Sequence, residues 1–185
     1  GKTEHEVWLE RYKHVLFRAR RESFVSHYQN KYGRLPVWVA IETWDFGMMS
    51  KLYAGMKPAD QNVIAAKYGI ADGKRFAKWL RSLNFIRNVS AHHSRLWNRR
   101  LTKLMPLPKN KPTGLRDNMT DGSDRKIYNS LVMIAYLMDV ICIEHHWKQR
   151  LIVLLEKHDI DVSRMGFHDG WKDMPIWMME EKGGE

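Results

Sequence analysis

The stretch DGKRFAKWLRSLNFIRNVSAHH, residues 72–93, decides the fold. Phe76, Leu80, Leu83 and Ile86 recur in it at intervals of four and three, the period that gathers apolar side chains on one face of an α-helix. Asp72 stands just ahead of the run, where a carboxylate can accept the N–H groups that a helix start leaves unpaired. A helix is therefore expected to open at Asp72 and to carry Arg87, Asn88, His92 and His93 at its far end.

The same period organises the rest of the chain. Over residues 4–31, Val7, Tyr12, Val15, Phe24 and Tyr28 fall at helical spacing among charges, and Gly33 and Pro36 end the pattern. From Pro36, a residue suited to a first helical turn, Val37, Ile41, Trp44, Met48 and Leu52 predict a second helix, with Glu42, Asp45 and Met49 on another side. Lys57-Pro58-Ala59-Asp60 opens a shorter helix that Gly69 can close. PLPKNKPTGLRDNMTDGS, residues 106–123, predicts a long loop excursion around residues 105–123, with Ser123 as the cap of the next helix. Ile127, Leu131, Ile134, Met138, Ile141 and His145 lead into Leu151, Ile152 and Leu155, which predicts the longest helix of the chain, kinked or divided near Glu144. Phe167, Trp171 and Trp177 are expected to pack across the resulting bundle. No segment alternates with period two between hairpin turns, no repeat recurs, and no composition shift marks a boundary. The expectation is an all-α helical bundle in one domain, residues 1–185.

Composition narrows the function classes. A hydrophobic content of 44% with eight Trp suffices for a core and excludes disorder of the whole chain. A single cysteine, Cys142, excludes a disulfide framework and a thiolate metal site, and fits a reducing, cytoplasmic setting. No window reaches the ~18 consecutive apolar residues of a membrane span, because Asp139 and Glu144 interrupt the richest one, so no membrane partner is expected. The chain opens Gly1-Lys2 without an initiator Met, which suggests a processed or truncated start.

The formal net charge is +10, and its placement says more than its sum. Between Asp72 and Asp117 there is no Asp or Glu, while twelve Lys and Arg lie in that interval. A solvated face would mix its signs, so this surplus points to a polyanion, with RNA the natural candidate. Arg95, Arg99, Arg100 and Lys103 are the expected phosphate contacts. Trp97 among them could stack on an unpaired base or serve as packing.

The helix end carries groups suited to cutting such a partner. Asn88 and His92 are one turn apart, so the amide can orient the imidazole, whereas Arg87 lies about 140° from His92 on a regular helix. Arg87 reaches the same phosphate only from a cavity wall, by helix distortion, or by pairing with a second copy. An imidazole can take the 2′-hydroxyl proton or protonate the leaving 5′-oxygen, while a guanidinium stabilises the charged phosphorane. Such a reaction requires no metal or other cofactor. Glu42 and Asp45 are candidate supports that would pair with Arg87 or raise the basicity of His92. His145-His146 after Glu144 lacks the HExxH order of a helical metal site, and His145 fits the apolar stripe instead.

RNVSAHHSRLWNR, residues 87–99, resembles the signature of the Abi-like family of abortive-infection proteins, of the AbiD and AbiF type, within the HEPN superfamily. PVWVAIETWDFGMMSKLY, residues 36–53, and MGFHDGWKDMPIW, residues 165–177, are similar to that family's second and C-terminal blocks. The resemblance implies a HEPN-like helical bundle and a metal-independent endoribonuclease toxin of phage defence, with Arg87, Asn88 and His92 catalytic and His93 completing a His pair. It also implies a homodimer with a composite active site, control by a regulatory RNA or antitoxin, and family residues ahead of the first block. Two other readings stand beside it. One is a catalytically silent module that holds a regulatory or structured RNA. The other is a signalling protein modified by nucleotide transfer, with Tyr128 or Ser94 as the acceptor.

Overall fold

The computed structural model describes residues 1–142 and 144–178. Among these, eight α-helices and short 3₁₀ turns make up the regular structure, with no strand, so the fold is all-α as the periodicity predicts. Backbone contacts group the chain into two compact units, Gly1–Lys57 and Pro58–Glu185. No helix among the described residues is long and apolar enough to cross a membrane.

In the first unit, the amphipathic run of residues 4–31 divides into α1 (Glu4–Ala19) and α2 (Ser23–Tyr32). Thr3 and Glu6 cap the start of α1 reciprocally, each side chain accepting the other's backbone N–H. At its end Arg20 donates to the Phe17 carbonyl at 2.8 Å and lies 3.8 Å over the Phe17 ring. The last carbonyls of α1 are thus satisfied locally, and the chain can turn before Ser23. Gly33, at φ 70°, ends α2 in the left-handed conformation that residues with a Cβ avoid.

The second expected helix is also divided, into α3 (Val37–Ala40) continued by a 3₁₀ turn (Ile41–Thr43), and α4 (Phe46–Gly55). The apolar period runs unbroken across Trp44 and Asp45, but Asp45 takes an extended conformation and accepts the Met48 N–H at 2.8 Å. A side-chain cap competes here with helix continuation and wins. Trp8, Tyr12 and Trp44 pack edge to face and stacked above Met48, whose carbonyl accepts the Trp8 indole N–H at 3.1 Å.

The second unit is built on α6 (Gly73–Ala91), the longest helix among the described residues. It pairs with α5 (Pro58–Ala66) across Gly73, where a Cβ would stand 2.6 Å from the Gln61 carbonyl carbon. Asp72 caps α6 as expected, accepting the Arg75 N–H at 3.1 Å. Its buried face is displaced from the predicted stripe: Phe76 and Ile86 are buried, but Leu80 and Leu83 are only half-buried, while Trp79 and Ser82 are fully enclosed. The cause is the segment after the helix, which runs back along it. Its carbonyls at Lys103, Pro106 and Leu107 accept from Ser82, Trp79 and Arg75 in turn. An extended segment has no ladder partners, so its carbonyls draw the polar tips of α6 inward.

The excursion around residues 105–123 is thereby a packed layer rather than a free loop. Met105, Pro108, Pro112, Leu115, Asn118 and Met119 are buried, and one 3₁₀ turn (Leu115–Asn118) forms within it. Ser123 does not cap the next helix: its N–H donates to Asp121, and α7 (Tyr128–Ile141) starts five residues beyond with Ile127 at the cap. The final apolar run is divided near Glu144, as expected, into α7 and α8 (Trp147–Lys157), and neither is the longest helix among the described residues. His145 causes the division. Its Nδ1 accepts the Trp147 N–H at 3.1 Å, so Nε2 carries the proton and donates to Asp139 at 2.9 Å, beside Lys148 on the same carboxylate. Tyr128 of α7 is enclosed by Phe167, His168 and Trp177, with Trp171 packed on Phe167, which places the expected aromatic anchors in this unit's core.

Candidate active site

The last turn of α6 presents the candidate catalytic groups. Val89 is buried and fixes the rotation of the turn, leaving Arg87, His92 and His93 exposed and Asn88 half-buried. Arg87 donates to the Asn88 carboxamide oxygen at 3.1 Å. The amide therefore holds the guanidinium. Its expected partner, the His92 imidazole, takes no side-chain hydrogen bond among the described residues. What joins Asn88 to His92 is the backbone: the His92 N–H donates to the Asn88 carbonyl at 3.1 Å.

His92 is the C-cap of α6, and the residue after it closes the helix. The His93 N–H bonds the Ser90 carbonyl and the Ser94 N–H bonds the Val89 carbonyl, each at 3.1 Å. This pair of bonds requires the residue after the cap to be left-handed, a place that glycine usually takes. His93 occupies it at φ 52°. A β-carbon there is strained, and such strain gathers at functional turns. Both imidazoles are exposed at this turn.

The segment beyond this turn is fastened, not loose. Trp97 is half-buried, its indole N–H donates to the Asp161 carbonyl at 3.2 Å, and the Arg164 guanidinium lies 5.6 Å from its ring centre. Trp97 thus ties the site to the 3₁₀ turn Val162–Met165. Asn98, left-handed at φ 55°, receives Lys126 through its carbonyl and its side-chain oxygen, and Leu101 exchanges hydrogen bonds with Arg125. On this framework Arg95, Arg100 and Lys103 are exposed, and Arg99 is half-buried against the Arg95 carbonyl. Asp161, Arg164, Arg125 and Lys126 were not foreseeable as supports. They lie far away in sequence, and a lone cation carries no motif.

Other expected residues have different surroundings. Both oxygens of Asp45 are engaged within the first unit, one by the Met48 N–H and the other by Arg11 at 2.6 Å. Partial burial pushes its carboxyl up, but the Met48 N–H and the Arg11 guanidinium outweigh that and hold it below the ordinary range. Glu42 is exposed. Tyr128 is 1% exposed, with its hydroxyl accepting from Trp177, so it offers no surface for nucleotide transfer; Ser94 is exposed. An open cavity of about 1080 Å³ lies elsewhere in the second unit, between Tyr136, Asp139, His145, Lys148 and Ile176, and residues 87–103 do not line it. The polar groups it shares with His145 are already committed to one another, and both ring nitrogens of His145 are occupied.

The model of the Abi-like protein family matches residues 1–98, more than half of the chain. The match takes in residues 36–53 and all of the sequence from Arg87 through His93, and it ends before residues 165–177. Searches of curated proteins and of solved structures give no match.

Proposed function

The chain belongs to the Abi-like family, and from that membership we propose that it is a HEPN-type endoribonuclease of abortive infection, a toxin that halts phage growth by cutting RNA. The observation that carries the reading is the exposed His92 imidazole at the end of α6, one turn from the Asn88 amide that holds the Arg87 guanidinium, in an interval without carboxylates.

In the proposed reaction His92 removes the 2′-hydroxyl proton, the 2′-oxygen attacks phosphorus, and the bond to the 5′-oxygen breaks. A second imidazole, from His93 or from a second copy, returns a proton to the leaving oxygen. The products are a 2′,3′-cyclic phosphate and a 5′-hydroxyl, and DNA is not cut. Arg87 neutralises the phosphorane, whose charge exceeds that of the ground state. RNA incubated in EDTA with wild type and with His92→Ala tests this. Cleavage by the wild type alone, with cyclic-phosphate ends, supports it; equal cleavage by both, or linear 3′-phosphates from the start, overturns it.

Arg87 and His92 lie about 140° apart around α6, so the composite dimeric site supplies the arginine to one phosphate and the histidine from the other copy. Mixing Arg87→Ala with His92→Ala then restores one complete site in half of the dimers, roughly a quarter of wild-type activity for a two-fold assembly. No recovery would eliminate the shared site. The silent RNA-binding module has one observation in its favour, the absence of an orienting hydrogen bond on the His92 ring among the described residues. It requires that wild type bind RNA and cut none.

A further inference from the structure

The acid-free interval contains an ordered feature apart from Arg95–Lys103. Lys74, Lys78, Arg81, Phe85, Asn88 and His92 follow one another along α6 at intervals of four, three, four, three and four. At about 100° per residue all six stay within roughly 40° of Lys74, so they form one straight row on a flank of the helix. Lys74, Lys78 and Arg81 are exposed, and none of them has a hydrogen bond or ion pair among the described residues. Phe85 is half-buried in the row, and His92 ends it. An exposed cation row on a helix normally alternates with carboxylates at four-residue spacing, because each such pair stabilises the helix. α6 contains no acidic residue from end to end.

We propose that Lys74, Lys78 and Arg81 form a phosphate track that lays a single RNA strand along α6, with Phe85 as a stacking platform, and delivers it to His92. The inference rests on the ribonuclease reading for its direction, but the binding surface can be measured separately. From Lys74 to Arg81 the helix rises about 10 Å, and from Arg81 to His92 about 16 Å. The whole row is about 27 Å long, several nucleotides of an extended strand, with its cations at one end and its imidazole at the other. Stacking on Phe85 requires an unpaired base, and attack by a 2′-hydroxyl in line with the leaving oxygen requires a strand free of A-form geometry. Both requirements select a single strand over a duplex.

The test measures salt-dependent binding of a short unstructured oligoribonucleotide to the His92→Ala protein, which leaves the RNA intact. Each of Lys74→Gln, Lys78→Gln and Arg81→Gln should reduce the slope of log affinity against log salt by about 0.7, and the triple variant by about 2. Gln keeps helix propensity at these exposed positions. Lys109→Gln and Lys111→Gln, exposed cations of the same interval outside α6, should leave the slope unchanged. Phe85→Leu should weaken binding on the order of five-fold. In the His92-intact protein the triple variant should raise KM with kcat retained, the mark of lost uniform binding. A triple variant indistinguishable from the Lys109 and Lys111 controls overturns the track, as does equal track-dependent binding of duplex RNA. Slope changes in a protein whose cleavage ignores His92 would uphold the track while removing the catalytic assignment; His92-dependent cleavage without slope changes would do the reverse.

Discussion

Replacing His93 by glycine should stabilise the protein. His93 sits at φ 52°, with both closing hydrogen bonds of α6 depending on that conformation. A residue with a β-carbon pays about 1–2 kcal/mol to be left-handed, and glycine avoids this. Glycine also loses more chain entropy on folding, by about 0.5–1 kcal/mol. The difference leaves about 0.5–1 kcal/mol in favour of His93→Gly, since the exposed imidazole makes no side-chain hydrogen bond among the described residues to offset it. For a chain of this size that is a rise in Tm of roughly 1–4 °C. Chemical denaturation followed by circular dichroism gives the cleaner reading: the midpoint should move up with m unchanged, because the surface exposed on unfolding is the same. His93→Ala, which keeps the β-carbon and gains no freedom, should not be stabilised. A glycine variant less stable than wild type at constant m would refute the strain argument, and with it the case that the histidine stands in this turn for a reason other than stability.

Gly73→Ala should destabilise by about 1–3 kcal/mol, because the new Cβ meets the α5 backbone at Gln61 at 2.6 Å and neither helix can retreat without opening the pair; a midpoint within error of wild type would refute the close approach. Asp45→Ala should cost about 1 kcal/mol through loss of the α4 cap, whereas Asp45→Asn keeps the cap and should retain most of it. The Asp45 carboxyl is held below its usual 3.8, so its ionised form contributes stability above that value, and the contribution is lost as pH falls through the lower folded value. With Asp45 and Arg11 each about two-fifths exposed, solvent screening limits the ionic part to well under ~1 kcal/mol. Acid titrations of wild type and Asp45→Asn should therefore converge below that window, and parallel curves throughout would refute the assignment.

The legible and illegible parts of this chain differ by the kind of interaction involved. The Asp72 cap and the turns at Gly33 and Gly69 are local, set by a residue and its neighbours within a turn, and the sequence displays them. The breaks at Arg20–Glu22 and Trp44–Asp45 are also local, but the hydrophobic period continues across each, and periodicity reports burial without reporting continuity; the division near Glu144 is legible, but not the contact that accompanies it. Only the competition between Asp45 and the helix backbone, or between His145 and the start of α8, decides the matter. The exchange of Leu80 and Leu83 for Trp79 and Ser82 on the buried face depends on a segment twenty or more residues away. At the site, the placement of Asn88 and His92 one turn apart at the end of a helix was legible from spacing, while the Arg87–Asn88 bond and the anchoring of Trp97 by Asp161 and Arg164 were not.

The geometry of α6 separates functions that the linear motif presents side by side. Arg87 and Asn88 are adjacent in sequence and bonded to each other, yet Asn88 lies in the row with Lys74, Lys78, Arg81 and His92, and Arg87 lies on the opposite flank. The Asn88 carboxamide therefore spans the two flanks. With its oxygen accepting from the guanidinium, its NH₂ makes no hydrogen bond among the described residues and is a donor that can meet a phosphate oxygen. An aspartate at this position would hold Arg87 equally well, but would set a negative charge beside the proposed phosphate path, between its last cation, Arg81, and His92. The amide supplies the hydrogen bond without that charge. This accounts physically for Asn between Arg and His in a stretch from which every carboxylate is excluded, and it ties the orientation of Arg87 to the same flank as the proposed track.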